Sequence, residues 1–425
     1  MSLRSLYIVL LFALVALSSC TSPNLTPSIN YVEKYSQGEG AFNPDFVVYH
    51  NSKDCTQLYY RLNAAELLYA RKDKTQPYRS KVAIHWEVYD SEDKKTVLDS
   101  ASVMIEDASS GVEQKHLLGK IGLKLLSEKN YNLFIQTKDL NRNKSNEQII
   151  LINKKNQTAG QFFMIKDSTG LWPTFNNYTF DGGTYQMESN LNAQKTVYIK
   201  YYKREFPIAP PPFSLSKKKP FTYNEDSLVI VQSDELGRFK ADILDSGFVH
   251  FQSDTSVRLG YTFYSYDTNF PELYDHAGMI APMRYISSKS EYLKLRNPAT
   301  SRKEMEQFWI KKCGSKEKAR EVIRKYYSRV EVANKSFTSY VQGWQTDRGM
   351  ISIIFGMPKR IRRSFDQEIW YYGDENNIMA LNFIFDKVKN PFTDNDFRLV
   401  RTPNYKSNWY RAVDAWRNGR VYWIQ

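Results

Sequence analysis

Hydrophobic and polar positions alternate along most of the first 300 residues, and the alternation predicts strands. Phe46–His50 and Thr56–Leu62 are short runs of strand-forming residues. Val82–Tyr89 alternates apolar with small or polar side chains, the period of a half-buried strand. Ser91–Lys95 is a polar turn, and Ser102–Ile105, Tyr131–Gln136 and Gln148–Ile152 continue the series. Short strands at near-regular spacing predict a β-sandwich of immunoglobulin-like type over residues 41–157. After the polar link at Asn153–Gln157, a second such module is predicted over 158–300. Its strands are Thr196–Tyr202, Ser227–Val231, Phe248–Phe251 and Tyr261–Tyr264, with a hairpin turn at Asp234–Phe239. Ala209-Pro210-Pro211-Pro212-Phe213 and Lys217-Lys218-Lys219-Pro220 cannot sit inside a sheet, since proline lacks the ladder donor, and read as an exposed loop of polyproline character.

The period changes in the last third, residues 301–425. Ser301-Arg302-Lys303-Glu304 has the form of a capping box, opening a helix through Met305, Phe308 and Trp309 that stops at Gly314. Ser315 can cap a second helix. Ala319, Val322, Ile323, Tyr326, Tyr327, Val330 and Ala333 give that helix one apolar face. Met350–Phe355 reads as a strand, Gly356-Met357-Pro358 as a turn, and Glu368–Tyr372, Leu381–Phe385 and Phe397–Val400 as further strands. Trp409, Ala412, Val413 and Trp416 predict a final helix ended by Asn418-Gly419. The expected fold class is therefore mainly β and multidomain: two immunoglobulin-like sandwiches, then an α+β domain built from a helical hairpin and an antiparallel meander.

The N-terminus changes this picture by adding a membrane. Arg4 precedes the apolar run Leu6–Leu17, the length of a signal-peptide core and short of the ~20 residues a spanning helix needs. Leu17-Ser18-Ser19-Cys20 resembles the bacterial lipobox, which implies residues 1–19 as signal peptide and diacylglycerol on Cys20. Polar, proline-bearing residues 20–40 read as a tether, with no acidic cluster after Cys20, which favours the periplasmic face of the outer membrane. In this reading the β modules hold the C-terminal domain away from the bilayer. Cys55 and Cys313 lie in different predicted domains, and their pairing is left open.

Composition adds two points. Aromatics are 15% of the chain, including 30 tyrosines, which suits half-buried strands. The net charge is +13, and residues 301–425 carry 24 Lys and Arg against 14 Asp and Glu, so an anionic partner of that domain is expected. In the periplasm such a partner is lipid headgroups, lipopolysaccharide phosphates or an acidic protein face, not nucleic acid. The densest basic run, Lys359-Arg360-Ile361-Arg362-Arg363, is the candidate contact, on a turn between strands.

Candidate chemistry is sparse. His50, His85, His116, His250 and His276 show no metal-ligand spacing, and no phosphate loop or nucleophile elbow occurs. No catalytic residue, metal or cofactor is expected.

Gly343-Trp344-Gln345-Thr346-Asp347-Arg348-Gly349, followed by an Ile-rich segment, a Gly-x-Pro turn and Glu368-Ile369-Trp370-Tyr371, resembles the GWxTD domain of bacterial envelope proteins over roughly 303–425. Met357-Pro358-Lys359 departs from the family, whose members often carry a proline or acidic residue there. The resemblance brings no settled activity. Asp347 has only Asp366 and Glu368 as neighbouring carboxylates, and the domain has no histidine, so acid–base work is not expected. Thr346 and Asp347 are instead expected to cap a turn, Gly343 and Gly349 to supply unusual backbone conformations, and Trp344 to fill the joint between helices and sheet. The function expected is a non-catalytic docking or assembly component of an envelope complex, partnered by the membrane through its anchor and by an envelope protein. The alternative is a glycan- or small-ligand-binding lipoprotein.

Overall fold

A computed structural model describes residues 31–35, 42–93, 96–109, 115–180, 182–215, 222–364, 366–374 and 380–424. The signal segment, Cys20 and Lys217–Pro220 lie outside the described residues. Strand makes up 36% and helix 24%, so β structure dominates and helices concentrate at the C-terminal end.

The first module holds β1 (Asp45–His50), β2 (Thr56–Asn63), β3 (Tyr78–Asp90), β4 (Val97–Ser109), β5 (His116–Leu123), β6 (Asn130–Asp139) and β7 (Lys144–Asn153). They form two antiparallel sheets, ordered β1-β2-β5 and β4-β3-β6-β7. Leu58 and Ile121 from one sheet and Ile84, Trp86, Leu133 and Ile135 from the other share one core. That shared core is what the alternation encodes, since every second residue of β3 from Val82 to Val88 is buried. β5 has no clean alternation in the sequence, because Gly119 takes an inward position and Leu118 an outward one, although Ile121 and Leu123 are buried.

The second module holds β8 (Met164–Ile165), β9 (Tyr178–Thr179), β10 (Gly183–Glu188), β11 (Thr196–Tyr202), β12 (Ser227–Gln232), β13 (Arg238–Ile243), β14 (Gly247–Gln252) and β15 (Tyr261–Ser265). Its sheets run β13-β10-β8 and β12-β11-β14-β15-β9, again around a common core that includes Met187, Ile199, Phe239 and Phe251. The link between modules is only partly solvated: Lys155, Asn156 and Gln157 are exposed, but its start is built in. Lys154 is buried and donates to the Leu125 carbonyl at 2.7 Å, and the Phe162 ring packs 4.5 Å from the His50 ring.

The C-terminal unit has the largest core. It begins with α1 (Val32–Tyr35), far upstream in sequence, and continues with α2 (His276–Ile280), α3 (Lys289–Leu295), α4 (Ser301–Cys313), α5 (Lys316–Phe337), α6 (Asp347–Phe355) and α7 (Tyr405–Arg417). The strands β16 (Arg360–Arg363), β17 (Gln367–Tyr372), β18 (Leu381–Lys387) and β19 (Phe397–Leu399) form a four-stranded antiparallel meander. Ile361, Trp370, Phe383, Phe385 and Leu399 line its inner face, which the helices cover.

Four expectations change. Met350–Phe355 is helix, not strand: α6 is buried at all nine positions, so no amphipathic period reveals it. Ser301 makes no capping box, because it is the first helical residue after Thr300, whose side chain makes no cap bond; the box occurs instead at Ser288 and Glu291. The segment Ala209–Phe213 is not an exposed loop. Ala209 is buried and donates to the Gln345 carbonyl at 2.9 Å, and Phe213 packs on Tyr410 at 5.4 Å. Finally, residues 31–35 do not behave as tether. Tyr31 and Tyr35 are 2% and 3% exposed within the C-terminal core. Gly314 and Ser315 do end and cap the helices as expected, with Gly314 at φ +81° and Ser315 accepting from the Lys318 amide.

Candidate functional site

The Gly343–Gly349 motif lies where α5 turns back into α6. Gly343–Gln345 form one 3₁₀ turn laid directly on the α5 backbone. A Cβ on Gly343 would stand 1.8 Å from the Ala333 carbonyl oxygen, and one on Gly349 would stand 1.9 Å from the Gly343 carbonyl oxygen. Neither glycine has positive φ, so both are needed for close approach and not for an unusual conformation. The turn is held by side chains. Gly343 N donates to Thr338 Oγ1 (2.9 Å), Trp344 N to Asn334 Oδ1 (3.1 Å), and Trp344 Nε1 to Gln342 Oε1 (2.8 Å). Tyr285 OH donates to the Trp344 carbonyl at 2.9 Å. Trp344 is buried at this joint between helices and turn.

Thr346 is the N-cap of α6. Its Oγ1 accepts from Gly349 N at 3.0 Å and donates to the Gly343 carbonyl at 2.8 Å. Asp347 follows in the first turn, where the helix dipole favours an anion. Its Oδ2 accepts from Leu399 N (3.0 Å) and Arg401 Nη1 (3.1 Å), and its Oδ1 accepts from Arg401 Nη2. Arg401 also donates to the Pro210 carbonyl at 3.1 Å, so the proline-rich strap of the second module is tied to the motif.

Arg348 leaves α6 in another direction. It is 1% exposed, and its Nη1 donates to Glu368 Oε1 at 2.9 Å. Its Nη2 donates to the Asn395 carbonyl at 2.9 Å and to Asn395 Oδ1 at 2.5 Å. The Phe337 and Phe397 rings stand 5.1 and 4.3 Å from its guanidinium. Glu368 is fully buried. It also accepts from Tyr35 OH (2.8 Å) and Trp370 Nε1 (3.1 Å), with Arg363 Nε at 3.5 Å. Burial alone would raise the Glu368 pKa, but the Arg348 and Arg363 charges outweigh it and hold the carboxyl below its ordinary value. Burial and the Glu368 charge push the Tyr35 phenol up, so it serves as a donor. Asp347 and Glu368 thus belong to two separate ion pairs and do not work as a pair of carboxylates.

The basic run is strand, not turn. Ile361 and Arg363 face inward and Arg360 and Arg362 outward. Arg363 Nη1 donates to Tyr35 OH at 3.1 Å and its guanidinium lies 5.3 Å from the Tyr31 ring. Arg360 and Arg362 stack on Tyr371 at 4.7 and 5.8 Å, and Lys359 pairs with Asp374. Of the histidines, His50 and His250 are buried against Thr56 and Thr262, and burial pushes their pKa values down to about 4 and about 3. Among the described residues no three metal-ligating side chains cluster, and Cys55 and Cys313 are both free.

Glu368 had a sequence signal: it shares the inward face of β17 with Trp370 and Tyr372, and a carboxylate there needs a buried cation. Tyr35, Asn395 and Arg401 had none, because their partners are remote in sequence. Separately, a cleft of about 760 Å³ opens where the three units meet, lined by Tyr131, Asn132, Asn153, Tyr261, Asn390 and Phe392 among others. No residue of the Gly343–Gly349 motif lines it.

A helical layer on a meander, locked by a buried Gly-Trp-Thr-Asp joint, defines the class. The chain carries a GWxTD domain: the family model matches residues 247–418. The match starts well before residue 303, and the structure gives the reason, since Ile280, Met283, Tyr285 and Leu295 belong to the same core as the motif. No curated protein matches the chain.

Proposed function

We propose that this protein is an outer-membrane lipoprotein, anchored through Cys20 on the periplasmic side, that serves as a non-catalytic docking or assembly component of an envelope complex. Its two β modules are read as immunoglobulin-like sandwiches over 41–157 and 158–300, with the GWxTD domain as the docking element. One observation carries the non-catalytic part. The motif's charged and hydroxyl side chains are engaged internally: Thr346 by its cap, Asp347 by Arg401 and Leu399, and Arg348 through both Nη atoms by Glu368 and Asn395. A general acid or nucleophile must reach a substrate, and Asp347 and Arg348 are 4% and 1% exposed. The test is purification of the membrane-extracted protein through its anchor, with crosslinking. A stoichiometric membrane-protein partner supports docking. Turnover of any envelope substrate that Asp347→Asn abolishes without unfolding the domain would refute it.

The inter-module cleft favours a second reading, the binding of a glycan or other small ligand. Tyrosine and phenylalanine rings beside asparagine amides suit a neutral polar ligand, and the volume is in the ordinary range for such sites. Glycan-array binding lost in Tyr261→Ala, with no protein partner recovered, would favour this reading over docking.

A further inference from the structure

The basic run at 359–363 is largely engaged by Tyr35, Glu368, Tyr371 and Asp374, but a larger field lies elsewhere. Residues 289–325 span α3, α4 and the first half of α5, and carry twelve Lys and Arg against five Asp and Glu. The carboxylates offset only part of this field: Glu291 is shared by Arg417 and Lys312, Glu306 pairs with Arg302, and an excess of seven cations remains. The inward face of α5 is spent on the core through Val322, Tyr326, Val330 and Ala333. Its outward face presents Lys316, Lys318, Arg320, Arg324 and Lys325 with Glu317 and Glu321 among them, all exposed, an excess of three cations. Trp423 lies beside them, 58% exposed, with Lys325 Nζ 5.2 Å from its ring. It is the one tryptophan among the described residues in the exposed class.

In the lipoprotein reading, the N-terminal segment sets how far the membrane is from this surface. Tyr31 donates its amide to the Ile361 carbonyl at 3.3 Å, and the Tyr35 ring packs 4.9 Å from Phe337, the last residue of α5. Ten residues separate Cys20 from Tyr31. However they are arranged, they span at most ~40 Å. The 22-residue α5 is itself ~33 Å long. A lipid on Cys20 therefore leashes one end of α5 to the bilayer at a distance about equal to the helix, and its basic end can reach the headgroups. The β modules do not space this domain from the membrane.

We infer that the outward face of α5, with Trp423, docks onto the anionic headgroups of the anchoring membrane. The cations supply the attraction, at roughly fivefold in affinity per residue near such a surface, and Trp423 supplies an interfacial ring of the kind found at membrane boundaries. The inference rests on the lipoprotein reading for its leash, but the surface is testable without it.

The test uses the mature full chain with Cys20→Ser, which carries no lipid, and vesicles of phosphatidylglycerol or of phosphatidylcholine. Flotation in low salt is expected with the anionic vesicles and not the neutral ones. Neutralising Lys318, Arg320, Arg324 and Lys325 to glutamine should weaken binding at least about 25-fold, whereas Arg360→Gln with Arg362→Gln should change it less than threefold. Brominated phosphatidylglycerol should quench a tryptophan signal that Trp423→Phe removes. No binding to anionic vesicles, equal loss in both charge variants, or quenching unaffected by Trp423→Phe would each overturn the inference. Intact-mass measurement of the unmodified protein for acylation at Cys20 reports on the lipoprotein reading separately.

Discussion

Replacing Glu368 by glutamine keeps the side chain's shape and removes one charge. Arg348 is then left 1% exposed with only the Asn395 oxygens for acceptors, and Arg363 with the Tyr35 hydroxyl. Breaking a buried ion pair from one side costs about 3–5 kcal/mol, because the surviving charge stays desolvated. For a cooperative unit the size of the 247–418 match, each kcal/mol is worth roughly 2–4 °C, so melting should fall by roughly 6–20 °C. Calorimetry at pH 7 measures this directly. The pH profile adds a second check. The folded Glu368 pKa is depressed, so its contribution is complete above the unfolded value of about 4.3 and is lost as pH falls through the lower folded value. Wild type should therefore lose stability in that acid window, and Glu368→Gln should show a shallower loss there. Replacing Arg348 and Glu368 together by methionine should cost less than the two single changes summed, by at least about 1 kcal/mol. A fall under about 1 kcal/mol for Glu368→Gln, or strict additivity in the cycle, would show that the pair does not hold the domain together.

Gly349→Ala should destabilise by about 2 kcal/mol or more in urea titrations, since its Cβ meets backbone and not a movable side chain. Gly314→Ala, with open space but φ +81°, should cost about 1 kcal/mol. Thr346→Ala should cost about 1 kcal/mol through the lost cap while Thr346→Ser keeps most of it, read from the same titrations. Tyr35→Phe removes the phenol that bridges Glu368 and Arg363. It should cost about 1–2 kcal/mol and speed amide hydrogen exchange at Ile361 and Tyr31.

Elements whose two faces meet different surroundings were legible in the sequence. β3, β11, β17 and the amphipathic α5 announce themselves by period, and Gly314 and Ser315 by their chemistry. α6 did not, because burial on all sides erases the period, and its adjacent Ile353 and Ile354 look strand-like. Thr346, three residues before Gly349, was the available sign of a helix start. The motif's glycines stand out in the sequence but their reason does not, since close approach between backbones is invisible until α5 and the 3₁₀ turn are placed together. The Tyr35 and Pro210 contacts are beyond any local reading, as each joins residues that only the tertiary fold brings together.

The bond between Tyr35 and Glu368 links residues 333 apart. A chain made N-terminus first presents its two docking tyrosines at the start and the pocket that receives them near the end. Closure of the C-terminal core is therefore a late, high-contact-order event, and such contacts form slowly. Until β17 arrives, Tyr31 and Tyr35 lack the core that buries them. A copy truncated before residue 368 keeps them that way, so this pairing also marks a finished chain from an unfinished one.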